Sequence, residues 1–469
     1  MQVPQPKPID SDLDWFARAA EHGNPYAQFN LGMMYRNGDG VEQDDAEAVR
    51  WLMCAACQRL AFAQNHLGSM YYLGRGVEQS DTLALYWFRL AAEQGDPSAQ
   101  QNLGDMCRLG RGVPRDPAAA VAWYFKAAEQ DSASAQRMLG ACYLSGDGVA
   151  VNHGLALAWL RKAARLGDAE AEVSLGLMHR RGQGVQASEA QAIHWFRRAA
   201  GKGHPAGQRL LGLACLDAAD LKGARLWLLR AAGQGEAEAQ FRLALLLAGN
   251  PGTSGAAAGA MPDQAGALTW YTRAAEHGHV LAQYNLGVLY ASQRAGGVCA
   301  TDLRRAAYWY RHAAEQGMAK AQFALAVAHA KGQGVPRDAV QAARWYRRAA
   351  EQGDASAQNN LGVMYANGEG LRQDDAEAVR WYHKAAEQGH ALAQYNLGGM
   401  YNSGRGVERD TVRSYMWMLL AADAGDPAAS ANKAVLANCL SPHQLDSAYD
   451  MSRRWRGVRG FSVGERRAA

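Results

Sequence analysis

Apolar residues fall into stripes of helical spacing. Between residues 24 and 59, Ala27, Leu31 and Tyr35 stand at i, i+4 and i+8, which predicts a helix with one buried face. Ala48, Trp51 and Ala55 form a second stripe and predict a partner helix. Gly38, Gly40 and Val41 separate the two, and Asp44 with Glu47 three residues later has capping-box spacing for the second helix. Gly32 lies inside the first helix, where a glycine costs about 1 kcal/mol relative to alanine. Its presence predicts a close approach by the partner helix that a Cβ would block. Ala48 and Ala55 allow that approach, and the Trp51 indole is expected to fill the gap between one hairpin and the next.

The same hairpin returns along the chain. Trp15, Trp51, Trp87, Trp123, Trp159 and Trp195 are spaced 36 residues apart. Trp227, Trp270 and Trp309 break the period, and Trp345, Trp381 and Trp417 restore it. Leu-Gly recurs from Leu67-Gly68 to Leu397-Gly398, and the loop recurs as Gly74-Arg75-Gly76-Val77 and Gly404-Arg405-Gly406-Val407. Residues 43–51 and 373–381 are identical, as expected from internal duplication. A fixed period in this range predicts repeats that stack on one another around a continuous core. The expected fold class is all-α, a right-handed α/α superhelical solenoid of about eleven helix-turn-helix repeats.

The irregular segments suggest boundaries. Residues 1–11, with Pro4, Pro6 and Pro8, read as an extended tail. Residues 12–248 read as the first part of the array. Residues 249–263, rich in Gly and Ala, read as an insertion that is either a hinge or a loop. Residues 264–425 continue the array, 426–455 form capping helices, and 456–469 form a basic tail. Ala214–Ala224 lacks the glycine loop, which predicts a shorter connection there. Ser441-Pro442 reads as an N-cap followed by proline at the first helical position, opening a final helix that runs to about Arg453 and covers the last apolar face.

The Leu-Gly and Gly-x-Gly-Val strings, with Trp-Tyr-x-x-Ala-Ala-Glu-Gln-Gly at Trp345–Gly353 and Trp381–Gly389, resemble the Sel-one-like repeat family, relatives of tetratricopeptide solenoids, over roughly residues 12–440. The resemblance implies a scaffold or adaptor role in protein complexes. For bacterial members it further implies signalling, secretion or envelope processes.

Composition supports this class more than any chemistry. The net charge of +4 is small for 469 residues and gives no strong case for nucleic acid. The only basic cluster, Arg453, Arg454, Arg456, Arg459, Arg466 and Arg467, reads as a solvated tail. Seven cysteines follow no repeat phase, which argues against a disulfide framework and fits a reducing compartment. The N-terminal residues lack the apolar stretch of a signal peptide, so a cytoplasmic location is expected. Cys54-x-x-Cys57 has metal-like spacing but lacks a second pair and reads as drift within a repeat. The Gly-x-Gly-Val strings read as turns and not as nucleotide loops, because no strand precedes them. His22, His204, His277, His279 and His390 keep repeat phase at the turn glycine, and no acidic or thiol partner has a fixed sequence relation to His277 or His279. No catalytic residue, metal or cofactor is expected.

By the same resemblance, the first helices line a concave groove, and the slot before each Leu-Gly faces it. That slot holds Asn30, Asn102, Asn285, Asn360 and Asn396, with Arg242 in another unit. The slot before it holds Phe29, Arg137, Arg209, Tyr284 and Tyr395. An asparagine pairs with both N–H and C=O of a peptide backbone, and aromatics and arginines suit protein contacts. The alternative is that these asparagines bond only within their own helix pairs. The expected role is a non-enzymatic scaffold or adaptor for a protein or peptide, without nucleic acid or direct membrane insertion. An envelope- or secretion-associated assembly factor is the second reading, and an enzyme of hydrolase type the third.

Overall fold

The computed structural model describes residues 11–249, 263–292 and 302–458. Within these, 25 helices run from Ser11–Glu21 to Pro442–Val458, with no strand. The fold is an all-α repeat solenoid. It divides into two compact units, residues 1–231 and 232–469, with the division inside the helix Leu221–Gly233. Each repeat pairs a first helix, here an A helix such as Ala61–Leu73, with a second, a B helix such as Asp81–Glu93. Most of the inserted segment, 250–262, lies outside the described residues, as do Cys299 and the arginines from Arg459 onward.

Local chemistry sets the helix ends as the sequence suggests. Asp44 accepts from the backbone N–H groups of Ala46 and Glu47. Gly38 closes the preceding helix at φ 78°, with its N–H donating to Met34 O, a left-handed C-cap suited to glycine. The repeat without a glycine loop uses a shorter link, in which Ala219 takes the left-handed conformation at φ 58°. In the glycine loops after the first, the second glycine has a different reason. A Cβ on Gly76 or Gly406 would collide with the carbonyl of Asp45 or Asp375, the first residue of the B helix one repeat earlier. The intervening arginines fasten the same junction: Arg75 pairs with Asp45 at 2.7 Å and Arg405 with Asp375 at 2.7 Å.

The glycine of Leu-Gly is a contact point. A Cβ on Gly104 would lie 2.7 Å from the Tyr124 ring, and one on Gly140 would lie 2.7 Å from Leu160. These neighbours follow the periodic tryptophan by one residue, and they are the plugs of the core: Tyr124 and Phe196 are fully buried. Trp51, expected to fill the gap between hairpins, is buried against Leu31, but Trp123 of the same series is only half-buried. The backbone aims the residue after the tryptophan at the glycine, while the indole lies on the flank of its helix. Lys126 Nζ sits 4.0 Å from the Trp123 ring centroid, and Lys384 covers Trp381 in the same way. Even so, tryptophans bridge repeats: Trp87 joins the core built by Ala48, Leu52, Leu67 and Met70. Trp15, the first of the series, is 61% exposed.

A row of buried glutamines ties the helices together. Gln64, 2% exposed, donates from Nε2 to Ala56 O at the end of the preceding B helix, at 3.0 Å. Its Oε1 accepts from Gln94 at the end of its own B helix, at 2.6 Å. One amide thus joins three helices. The same arrangement recurs at Gln28 with Gln58 and Gln100 with Gln130. In the second unit it recurs at Gln322 with Gln352 and Gln358 with Gln388. In one repeat the pair has changed together: Glu172, fully buried, receives Lys202 Nζ at 2.9 Å and Arg198 at 2.8 Å.

The final helix covers the end of the second unit. Ser441 and Gln444 cap it reciprocally, and Trp455 meets Trp417 edge-to-face at 6.1 Å between centroids. The helix runs on to Val458, beyond the expected Arg453. Arg456, placed in a basic tail from sequence, is therefore helical and pairs with Asp423, because the helix must continue past Trp455 to keep that ring on the core.

The plug assignment is testable. Tyr124→Ala is expected to cost about 3–5 kcal/mol of local stability, the range for deleting a buried aromatic, and Trp123→Ala clearly less. Chemical unfolding of both variants checks the order. A larger loss for Trp123→Ala would return the tryptophan to the centre of the core.

Candidate partner-binding surface

The surface named from sequence lies on the A helices, whose opposite sides carry the core leucines and the buried glutamines. The candidate residues are half-buried, and most already have internal partners.

In the first unit, Phe29 packs against His66 at 5.5 Å and Phe62 at 6.5 Å between ring centroids. Asn30 is half-buried one residue further on. Asn102 donates to Asn65 Oδ1 at 2.9 Å. Arg137 is held by Asp168 at 3.2 Å and Glu170 at 3.1 Å. Arg209 is half-buried on the Pro205–Asp217 helix. The His66 pKa is lowered to about 4, first by burial and then by the Arg36 charge. Arg36 Nη1 lies 2.9 Å from His66 Nδ1. The guanidinium can only donate, so this contact requires the neutral ring.

In the second unit, Arg242 pairs with Glu238 at 2.6 Å. His279 Nε2 lies 2.8 Å from the same carboxylate, and its ring stacks on Phe241 at 4.4 Å. The hydrogen bond to His279, and then Arg242, hold the Glu238 pKa down at about 2 against the cost of burial. His279 therefore has an acidic partner, which no fixed sequence relation pointed to. The two residues are 41 apart and meet only through the stacking of one repeat on the next. Glu238 is thus held by an ion pair from Arg242 and a hydrogen bond from His279 Nε2, and His279 Nδ1 caps its own helix by accepting from Ala282 N.

Further along the second unit, Asn285 is half-buried, and Tyr284 packs 6.0 Å from the Tyr310 ring. Asn360 accepts from Asn359 at 3.2 Å. Asn396 donates to Asn359 Oδ1 at 3.0 Å, and Tyr395 Oη accepts from Asn432 at 3.1 Å. The structure thus brings Tyr395, Asn396 and Asn360 into one amide cluster, while Asn30, Asn102 and Asn285 sit in separate repeats. The sequence reading omitted Asn65, Asn359 and Asn432. Asn65 and Asn359 occupy the slot next to the one inspected for asparagine, so the signal was present.

The clearest concavity in this cluster lies between the helices Ala355–Asn367, Ala391–Ser403 and Pro427–Ala437. It encloses about 450 Å³, lined by Val363, Asn367, Tyr395, Asn396, Gly399 and Asn432 among others. Arg405 also borders it, with its charge already spent on Asp375. Among the described residues, no group of His, Cys, Asp or Glu could hold a metal ion. Cys54 and Cys57 are free thiols on the last turns of one B helix. No described helix is long and apolar enough to cross a membrane.

The Sel1 repeat profile matches eleven segments: 13–24, 25–59, 61–96, 97–132, 133–168, 169–204, 237–279, 280–318, 319–354, 355–390 and 391–426. The chain belongs to the Sel1 repeat family. The unmatched stretch 205–236 contains the repeat with the short link. Among solved structures, the chain is similar to a protective antigen present in uropathogenic Escherichia coli strains that displays the SLR fold. The two share 33% identity over 97% of this chain and 99% of that one, at TM-score 0.61. It is also similar to a Sel1 repeat protein from Oxalobacter formigenes, with 30% identity over 78% of this chain and 97% of that one at TM-score 0.41. An immunity protein from Pseudomonas aeruginosa matches at 18% identity over 58% and 84% of the two chains, TM-score 0.27. A comparison with curated proteins finds no match. Sel1 repeat proteins generally serve as protein-interaction scaffolds.

The neutral His66 gives a pH dependence. Its folded pKa lies below the ordinary 6.5, so the unfolded chain takes up a proton first as pH falls. The stability of the surrounding repeats is then expected to fall from about pH 6.5 towards pH 4, and His66→Gln to flatten that slope. Thermal unfolding against pH checks this, and an unchanged slope in the variant would remove His66 as its source.

Proposed function

We propose that this protein is a non-enzymatic interaction scaffold whose A-helix face in the second unit binds a protein or peptide. The observation that carries this reading is the amide-lined concavity between the helices Ala355–Asn367, Ala391–Ser403 and Pro427–Ala437. An asparagine side chain has two donors and an acceptor oxygen with two lone pairs. The internal bonds of Asn396 and Asn432 each use one donor, which leaves capacity for a partner's main chain. The tyrosine adds an aromatic contact of the kind that anchors interfaces. Nothing in this surface calls for a cofactor, and its lining, whose one arginine, Arg405, is paired with Asp375, does not suit nucleic acid.

The test replaces Asn360, Tyr395 and Asn396 together by alanine. Amide contacts contribute on the order of 1 kcal/mol each, and an aromatic anchor more. A protein captured by the wild-type chain from its own cell extract should therefore bind the variant at least about tenfold more weakly, with an unchanged circular dichroism spectrum. Equal affinity with an intact spectrum would place the binding surface elsewhere.

The likeness to a protein described as a protective antigen favours a second reading, an assembly factor of the envelope or of secretion. Cell fractionation separates the two: a cytoplasmic pool supports the first, and an envelope pool the second.

A further inference from the structure

We infer that Gly399 is the floor of a side-chain pocket, where the second unit seats one bulky apolar residue of an extended, uncharged peptide segment. This inference rests on the binding reading above and gives it a specificity. The starting point is a glycine that packing does not explain. A Cβ on Gly398 would lie 3.1 Å from Met418 and 3.2 Å from Ser414 O, so that glycine is required by its neighbour helix. A Cβ on Gly399 would meet nothing within 4 Å. Gly399 nevertheless lies in the middle of the helix Ala391–Ser403, where glycine costs about 1 kcal/mol relative to alanine. Among the described residues, no other glycine away from a helix end lacks a packing reason.

Repeat phase shows what is missing. The residue after Leu-Gly is Val288 in one repeat of the second unit and Val363 in another, and Val327 follows the equivalent Leu-Ala. Gly399 stands at the same repeat position and has no side chain there. The gap opens into the concavity of about 450 Å³, within the size range of ligand pockets. Val363, Tyr395 and Val435 give it apolar walls, and Asn367, Asn402 and Asn432 give it an amide rim. Arg405, the charged residue on the lining, is paired with Asp375. An apolar hollow inside a ring of neutral amides matches an apolar side chain flanked by its own peptide groups. It does not match a phosphate, a carboxylate or a basic tail.

The variant that fills the hollow should not harm the fold. Gly399→Leu places a good helix former at an open position, so its melting temperature should equal or exceed that of wild type. The probe is a phage library of random linear peptides, selected on the full chain. The expected result is a set of peptides sharing one bulky apolar residue between uncharged neighbours. These should bind Gly399→Leu at least about tenfold more weakly than wild type and Gly399→Ala with a smaller loss. Peptides that bind wild type and Gly399→Leu equally overturn the pocket. The broader binding reading still stands if those peptides lose affinity for the Asn360, Tyr395 and Asn396 triple variant. A selection that enriches no peptide overturns both. A lowered melting temperature for Gly399→Leu shows that the glycine is required by packing, and it also overturns the pocket.

Discussion

A buried primary amide must be paired, because leaving one of its groups unsatisfied costs about 1–3 kcal/mol. In this protein that demand recurs once per repeat and fixes how repeats stack. The glutamine after the small residue at the start of each A helix is buried beneath the end of the preceding B helix. It bonds a carbonyl there and receives a side chain from its own B helix. A helix pair that slid along its neighbour would break both bonds at once. Where the slots have drifted, the chemistry has followed. Glu172 faces Lys202 and Arg198, and Gln240 Oε1 faces His277 Nδ1 at 2.9 Å. Where Leu166 or Ala424 takes the partner slot, Oε1 of Gln136 or Gln394 has no partner among the described residues.

Fixed stacking leaves the A-helix face free to vary. Its side chains neither plug the core nor hold the rungs, so they can change from repeat to repeat without loss of the fold. The first unit carries ion pairs and buried polar contacts there, as at Arg137 with Asp168 and Arg36 with His66. The end of the second unit carries asparagines, tyrosine and a gap at Gly399. Regular packing with irregular chemistry on one face is what a scaffold requires, since the partner reads the face and not the core.

The repeats, the helix caps, the loop glycines and the covering final helix were legible because each is a local signal repeated many times. Three features were not. The glutamines carry no apolar signal in the sequence, and only the meeting of three helices buries them. The tryptophans and their successors share one period, so periodicity could not say that the successor plugs the glycine contact, as Tyr124 does opposite Gly104, while only some tryptophans, such as Trp51, are themselves buried. Glu238 and His279 belong to successive repeats, and no spacing within one repeat joins them. On the candidate surface the positions were correctly placed on the A helices. Their internal bonds, such as Asn396 to Asn359, depend on repeat-to-repeat distances that the sequence does not contain.

The rung in which both members have changed offers the most direct test of this account. Lys202→Gln leaves the buried Glu172 carboxylate with Arg198 alone. Glu172→Gln leaves the ammonium of Lys202 facing a neutral amide. Together the two substitutions rebuild the glutamine rung found at Gln358 and Gln388. The quantity to measure is the opening free energy of the helix Ala169–Arg181 from amide hydrogen exchange. The account predicts a loss of about 1–3 kcal/mol for Lys202→Gln, with the double variant within about 0.5 kcal/mol of wild type. A double variant that simply adds the two single losses would show that the rungs do not couple the repeats.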